Sequence, residues 1–220
     1  MKKFLSFLLL FPLTIWSQSD YSKAENLFRE GKYELAQPIF ENFLKENPVH
    51  LKTIEYLGDI AGHDKSWDKA LFYYKRLKGL KPSEANYYYK YGGVLGMKAK
   101  ESNKFKAIGM ISEIKQSFEK AIELNPKHIE ARWALVMLYL QLPGIVGGSE
   151  SKAIKYSNEL LKLSPIDGYL SRGQIEEYFK RYPSAEAQYK KAIAAGSTKT
   201  GGQMLAILYK YKMNKSVKKN

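Results

Sequence analysis

A spacing of 34 residues constrains this chain more than any other feature. Pro48 and Pro82 are 34 residues apart, and between them Leu57, Gly58, Trp67, Ala70, Tyr74 and Leu77 mark out apolar and small positions at helical steps. The same frame one period earlier finds Ala24, Gly31, Tyr33, Ala36, Phe40 and Phe43 before Pro48. Further on it finds Tyr91, Gly92, Leu95, Phe118, Ala121 and Ile122 before Pro126, then Leu135, Tyr139, Ala153, Leu160 and Leu161 before Pro165. These later intervals are 44 and 39 residues, so they carry about ten and about five extra residues over the period. A fifth, degenerate copy has Gly173, Tyr182, Ala185, Tyr189 and Ala192 but no closing proline. A unit of this length holds two helices joined by a turn, and one hairpin alone cannot bury its apolar face. The copies must therefore stack on one another.

The order of a leucine-glycine pair, an alanine, an aromatic four residues later and a closing proline resembles the tetratricopeptide repeat. The resemblance covers about residues 20–196 and implies an all-α fold: a right-handed α-solenoid of antiparallel helical hairpins with a C-terminal capping helix. The expected division is a signal peptide at 1–18, five repeats over 19–198 (19–50, 51–84, 85–128, 129–165 and 166–198), and a capping helix with a basic tail over 199–220. Gly58 and Ala70 are expected to make the closest approach within their hairpin, since neither puts a large side chain between the helices.

Two stretches depart from the period. In the third copy, Ala107, Ile108, Ile111, Ile114, Phe118, Ala121 and Ile122 continue one apolar helical face for more than four turns, which predicts a second helix lengthened at its N-terminus, with Gly109 as a kink point. Such an extension serves either as a partner surface or to close the groove and pack on a neighbouring repeat. In the fourth copy the connection is LPGIVGGSES, Leu142 to Ser151. Glycines before a helix suit an anion, but the lysine and hydroxyl of a phosphate-binding loop are missing, and Ser149 fits the ordinary role of helix N-cap.

The first eighteen residues, MKKFLSFLLLFPLTIWSQ, join two lysines to an apolar run from Phe4 to Trp16. That run is short for a membrane-spanning helix, which needs about 20 residues, and has the layout of a secretory signal cleaved after Ser17 or Gln18. The expected location is therefore outside the cytoplasm, in the periplasm, with an uncleaved N-terminal membrane anchor or secretion as alternatives. Losing Lys2 and Lys3 lowers the formal charge from +14 to +12. Lys199, Lys210, Lys212, Lys215, Lys218 and Lys219 crowd the end of the chain with no acidic residue after Lys199. This tail is a solvated extension of the capping helix or a patch attracted to anionic lipid, glycan or acidic protein. Nucleic acid is not expected, because the lysines belong to no base-reading module and the chain is directed for export.

The absence of cysteine excludes disulfides, thiolate metal sites and cysteine nucleophiles. His50, His63 and His128 fall in separate connections, so no metal site and no cofactor are expected. Glu176 with Glu177, and Glu41 with Glu46, are expected on solvated helix faces rather than as an acid-base pair, and no enzyme activity is expected. The resemblance implies instead a protein-interaction scaffold that takes a peptide or a partner helix in a concave groove lined by the first helices. In that register the groove residues are Tyr21, Glu25, Phe28, Glu55, Asp59, Tyr89, Trp133 and Met137. Tyr21 and Glu25 stand where some relatives place a lysine and asparagine that grip a terminal carboxylate, so a chaperone tail is not the expected ligand. The alternative function is an envelope tether acting through the basic C-terminus.

Overall fold

The structure, a computed structural model, describes the backbone of residues 13–213 and the side chains of residues 20–213. Eleven α-helices follow one another in the described residues: α1 (Leu13–Arg29), α2 (Tyr33–Glu46), α3 (Leu51–His63), α4 (Trp67–Leu80), α5 (Ala85–Glu101), α6 (Lys104–Leu124), α7 (Ile129–Gln141), α8 (Glu150–Leu163), α9 (Pro165–Tyr178), α10 (Tyr182–Ala194) and α11 (Thr198–Ile207). A π-helical turn, Leu208–Met213, continues α11. The chain is all-α, in consecutive packed hairpins, and forms two compact units, 1–98 and 99–220. Most of the expected signal segment, and the tail beyond Met213, lie outside the described residues. Helix α1 runs unbroken through the expected cleavage point at Ser17 and Gln18. No described helix is long and apolar enough to cross a membrane.

Three of the hairpins turn by one recurrent device. After α1 the N–H of Gly31 donates to Phe28 O and that of Lys32 to Leu27 O, with Gly31 at φ +74°. Lys65 and Ser66 repeat the pair after α3, and Lys180 and Arg181 after α9, with Lys65 at φ +56° and Lys180 at φ +59°. Each helix thus ends in a left-handed residue whose neighbours satisfy the last carbonyls. The connections between hairpins repeat just as closely: Asn47–His50, Lys81–Glu84 and Asn125–His128 each have proline second and a backbone bond from the fourth residue to the first. Proline there blocks any continuation of the helix before it.

Inside unit 1, Gly58 of α3 lies under the Tyr74 ring of α4; a Cβ on Gly58 would stand 3.0 Å from Tyr74 Cζ. The expected partner, Ala70, is fully buried, but the contact over the glycine is aromatic. A ring laid on a bare backbone fills the space that two small residues would leave empty. Ala24 and Phe40, both fully buried, keep the same sixteen-residue spacing in the first hairpin, and in unit 2 so do Gly173 and Tyr189. There a Cβ on Gly173 would come within 2.2 Å of the Tyr189 ring.

In unit 2, α6 has 21 residues where α4 has 14, and Gly109 sits inside it without interrupting the helix. Helix α5, 17 residues against 13 for α3, is also lengthened, so the third copy's extra residues are divided between both helices. Pro165 opens α9 at its first turn instead of closing the fourth copy, because Ser164 caps that helix by accepting from Asp167 N. The core ends in a cluster of Leu170, Ala185, Tyr189, Ala192 and Leu208, onto which Met204, Leu205 and Met213 pack. Helix α11 and its π-turn thereby cover the last hairpin.

Candidate functional site

The expected groove residues fall on first helices, and each unit presents its own set. On α1, Tyr21, Glu25 and Phe28 are all half-buried, as are Glu55 and Asp59 on α3 and Tyr89 on α5. The Tyr21 ring packs 4.6 Å from Phe43 and 5.3 Å from His50, centroid to centroid, while Phe28 lies 4.5 Å from Tyr56 and 5.2 Å from Tyr33. These rings hold α1 against its own hairpin and against α3. Burial, then the neighbouring Glu25 carboxylate, pushes the Tyr21 phenol up to about 12. Glu25 accepts a hydrogen bond from Tyr56 Oη at 3.1 Å.

The acidic part of this row has an internal counter-ion, Lys90 of α5. Its Nζ lies 2.7 Å from Glu55 and 2.8 Å from both oxygens of Asp59. Lys52 adds a further contact to Glu55 at 3.2 Å, and Tyr74 Oη donates to Asp59. Burial alone would raise the Glu55 carboxyl, but the Lys90 hydrogen bond and charge, helped by Lys52, outweigh it and hold Glu55 below the usual carboxylate range. The same balance works on Lys90, where the two carboxylates overcome desolvation and raise its pKa. Lys90 was not among the residues expected from sequence. The available signal was its spacing: it follows Asp59 by 31 residues and Glu55 by 35, one repeat on, at the same face of the next first helix.

In unit 2 the expected residues are Trp133 and Met137 on α7, both half-buried. Trp133 Nε1 donates to Asp167 of α9 at 2.8 Å, and its ring packs against the terminal cluster. Trp133 therefore fastens α7 to the following hairpin.

The carboxylates outside this row have structural partners. Glu176, expected on a solvated face, is buried, and takes Arg172 at 3.0 Å together with Arg181, which also reaches Glu150. Glu177 accepts from Tyr189 Oη at 2.9 Å, and Glu41 holds Gln37 and Lys69. Among the described residues, no three His, Asp or Glu side chains cluster to hold a metal ion.

The glycine-rich connection is built around its own hydrogen bonds. Val146 N and Gly148 N donate to Pro143 O, Gly147 N to Gly144 O, and Ser149 N to Tyr139 O. Gly147 is left-handed at φ +102°, and a Cβ on Gly148 would stand 1.8 Å from Leu142 O. Ser149 caps α8 by accepting from Lys152 N at 3.3 Å. The amides that would cradle an anion are thus already bonded within the loop.

Residues 21–85 match the family model described as the tetratricopeptide repeat. No curated protein matches the chain. Among solved structures, the thermophilic TPR protein TTC0263 of Thermus thermophilus is similar over 88% of this chain and 98% of its own, at 19% identity and a TM-score of 0.69. MamA is similar over 80% of this chain and 95% of its own, with 22% identity and a TM-score of 0.61. YrrB, described as a TPR protein with an unusual peptide-binding site, is similar over 84% of this chain and 89% of its own, at 16% identity and a TM-score of 0.56. The tetratricopeptide fold is typically a non-catalytic scaffold for protein interactions. Residues 21–85 thus match the tetratricopeptide repeat, and the chain has the fold of tetratricopeptide-repeat proteins, with the same turn and glycine-aromatic pairing returning in the α9–α10 hairpin.

Proposed function

We propose that this protein is a non-enzymatic interaction scaffold of the bacterial cell envelope, exported by cleavage after Ser17 or Gln18, which binds a peptide or helix along its first helices. The observation that carries this reading is the half-buried row of Tyr21, Glu25, Phe28, Glu55, Asp59 and Tyr89 in unit 1, which keeps aromatic and acidic surface in reach of solvent. Aromatic side chains supply much of the energy at such interfaces. The peptide-binding site that names YrrB supports the reading by analogy of fold. With Glu55 and Asp59 held by Lys90, the ligand is drawn chiefly to the rings and to Glu25.

The test is crosslinked capture from envelope extract. Tyr89→Ala should lose the captured partner with an unchanged melting temperature; undiminished capture would remove this row from the site. Intact mass of protein isolated from its own host should begin at Gln18 or Ser19, and a retained Met1 in the membrane fraction would make the segment an anchor instead.

A second reading, an envelope tether, is favoured by the exposed Lys210 and Lys212 set beside exposed Tyr209 and Tyr211 in the terminal turn and exposed Ile207 at the end of α11. It requires association with anionic vesicles that weakens steeply with salt and disappears when residues 213–220 are removed.

A further inference from the structure

Helix α6 begins with two turns that carry large apolar residues into solvent: Phe105 is 89% exposed and Ile108, one turn on, 50%. Ile145 of the glycine-rich connection, which lines the same groove as Ile108, is 96% exposed. A groove of about 390 Å³ runs between these elements, lined by Ile108 and Ile111 of α6, Leu138 of α7, and Leu142, Ile145 and Val146 of the connection. The connection is not loose, since its amides are bonded internally, so Ile145 is presented on a fixed support. Exposed Ile108 and Ile145 lining one cleft, with Phe105 a turn before Ile108 on the same helix, exceed the scattered exposure that a surface tolerates without purpose.

The charge around the groove has one sign. Lys115 and Lys152 line it, no carboxylate does, and exposed Lys104 and Lys106 flank Phe105. Glu119, one turn beyond Lys115, is engaged with the Tyr156 phenol. We propose that this groove receives the apolar face of an acidic amphipathic helix from another protein. A helix lying beside α6 places its i, i+3, i+4 and i+7 side chains along a straight cleft of this kind, and acidic residues on its flanks meet the lysines. A second copy of this chain, at +14, meets those lysines with charge of the wrong sign. A bilayer is a poor fit because Ile111, Leu138 and Leu142 are recessed and half-buried. This surface is formed by α6, the end of α7 and the glycine-rich connection, and includes none of the first-helix row residues.

The probe is a labelled peptide of about four helical turns, ~14 residues, with leucine at the anchor spacing and glutamate elsewhere, and a twin with lysine in place of glutamate. Fluorescence anisotropy with the full chain should show the acidic peptide binding at least about tenfold tighter than its twin. Ile145→Asp should weaken it by roughly tenfold without moving the melting temperature, since that side chain is in solvent. Lys115→Glu with Lys152→Glu should reverse the preference between the twins. Equal affinity for the two peptides, or binding indifferent to Ile145→Asp, overturns the proposal. So does binding lost in Tyr89→Ala and kept in Ile145→Asp, which assigns the peptide to the first-helix row. Anionic phospholipid vesicles that bind through Ile145 when the acidic peptide does not would make the surface a membrane contact and also overturn it.

Discussion

The α3–α4 hairpin and the α7–α8 hairpin meet the same packing demand with opposite volumes. Gly58 stands ten residues past Pro48 and Tyr74 eight before Pro82; at the matching places, ten past Pro126 and eight before Pro165, are Val136 and Ser157. The large group has moved from the second helix to the first, and both members of each pair remain buried. The small Ser157 lets α9 come close to α8. Ser157 Oγ receives a hydrogen bond from Ser171 Oγ at 2.9 Å, and Gly168 comes so near that a Cβ on it would stand 2.3 Å from Leu161 Cα. Hairpin α3–α4 is joined to its following helix quite differently, by Lys90 between Glu55 and Asp59 and by Lys78 Nζ lying 3.7 Å from the centre of the Tyr91 ring. One junction is made by backbone proximity and the other by charge, although the two follow one repeat frame.

The largest effect should come from testing which junction yields. Gly168→Ala drives a methyl group into the Leu161 backbone and is expected to cost about 3 kcal/mol, the upper end of overpacking. Gly58→Ala meets the edge of the Tyr74 ring at 3.0 Å and Tyr73 Cβ at 3.4 Å, no backbone, recovers helix propensity, and should cost less than about 1 kcal/mol. Urea midpoints measure both, and equal losses would mean that the two crossings are equally tight. Next, Lys90→Met leaves two partly buried carboxylates without their ammonium and should cost about 2 kcal/mol. Adding Glu55→Gln should return part of that loss, and no recovery would show that Lys90 acts through packing alone.

A smaller effect is a pH dependence at the start of the α7–α8 hairpin. His128 Nδ1 accepts from Ala131 N at 3.3 Å and so caps α7 in its neutral form. Burial of the ring outweighs Glu130, 3.1 Å away, and lowers the His128 pKa below its ordinary 6.5. The unfolded chain then takes up the proton first, so this contribution is complete above pH 6.5, declines below it and is lost as the pH falls through the lowered folded value. Thermal melts between about pH 7 and about pH 5 should flatten in His128→Asn, which keeps a capping oxygen without titrating. The smallest effect is a gain. Lys65 occupies the left-handed position that Gly31 fills one repeat earlier, and Lys65→Gly should stabilise α3–α4 by about 0.5 kcal/mol.

The hairpins were legible from sequence because proline, glycine and alanine recur at fixed distances and each has a backbone reason to be there. Ser149 as a cap and the helical nature of the long insertion were legible for the same reason. Three features were not. Tyr74 over Gly58 depends on a ring direction that spacing does not encode. The lengthening of α5 was hidden because YGGVLGMKAKE has too many glycines and lysines to show a clear apolar face. Glu176 looked solvated since its partners Arg172 and Arg181 sit four and five residues away and reveal nothing about burial. The candidate binding row was legible as a set of positions, but its charge balance was not, because Lys90 belongs to the next repeat.

The unequal lengths of α5 and α6 follow the arithmetic of the helix. Four residues beyond α3 and seven beyond α4 are close to one and two whole turns at 3.6 residues per turn. Growth by whole turns leaves the angular phase of each helix end nearly unchanged, which lets the same proline-bearing connection, Asn125–His128, leave α6 as Lys81–Glu84 leaves α4. A repeat of this kind can be lengthened as a telescoping tube is, in quantised steps, exposing new surface at its end while the rest of the hairpin keeps its rotational setting.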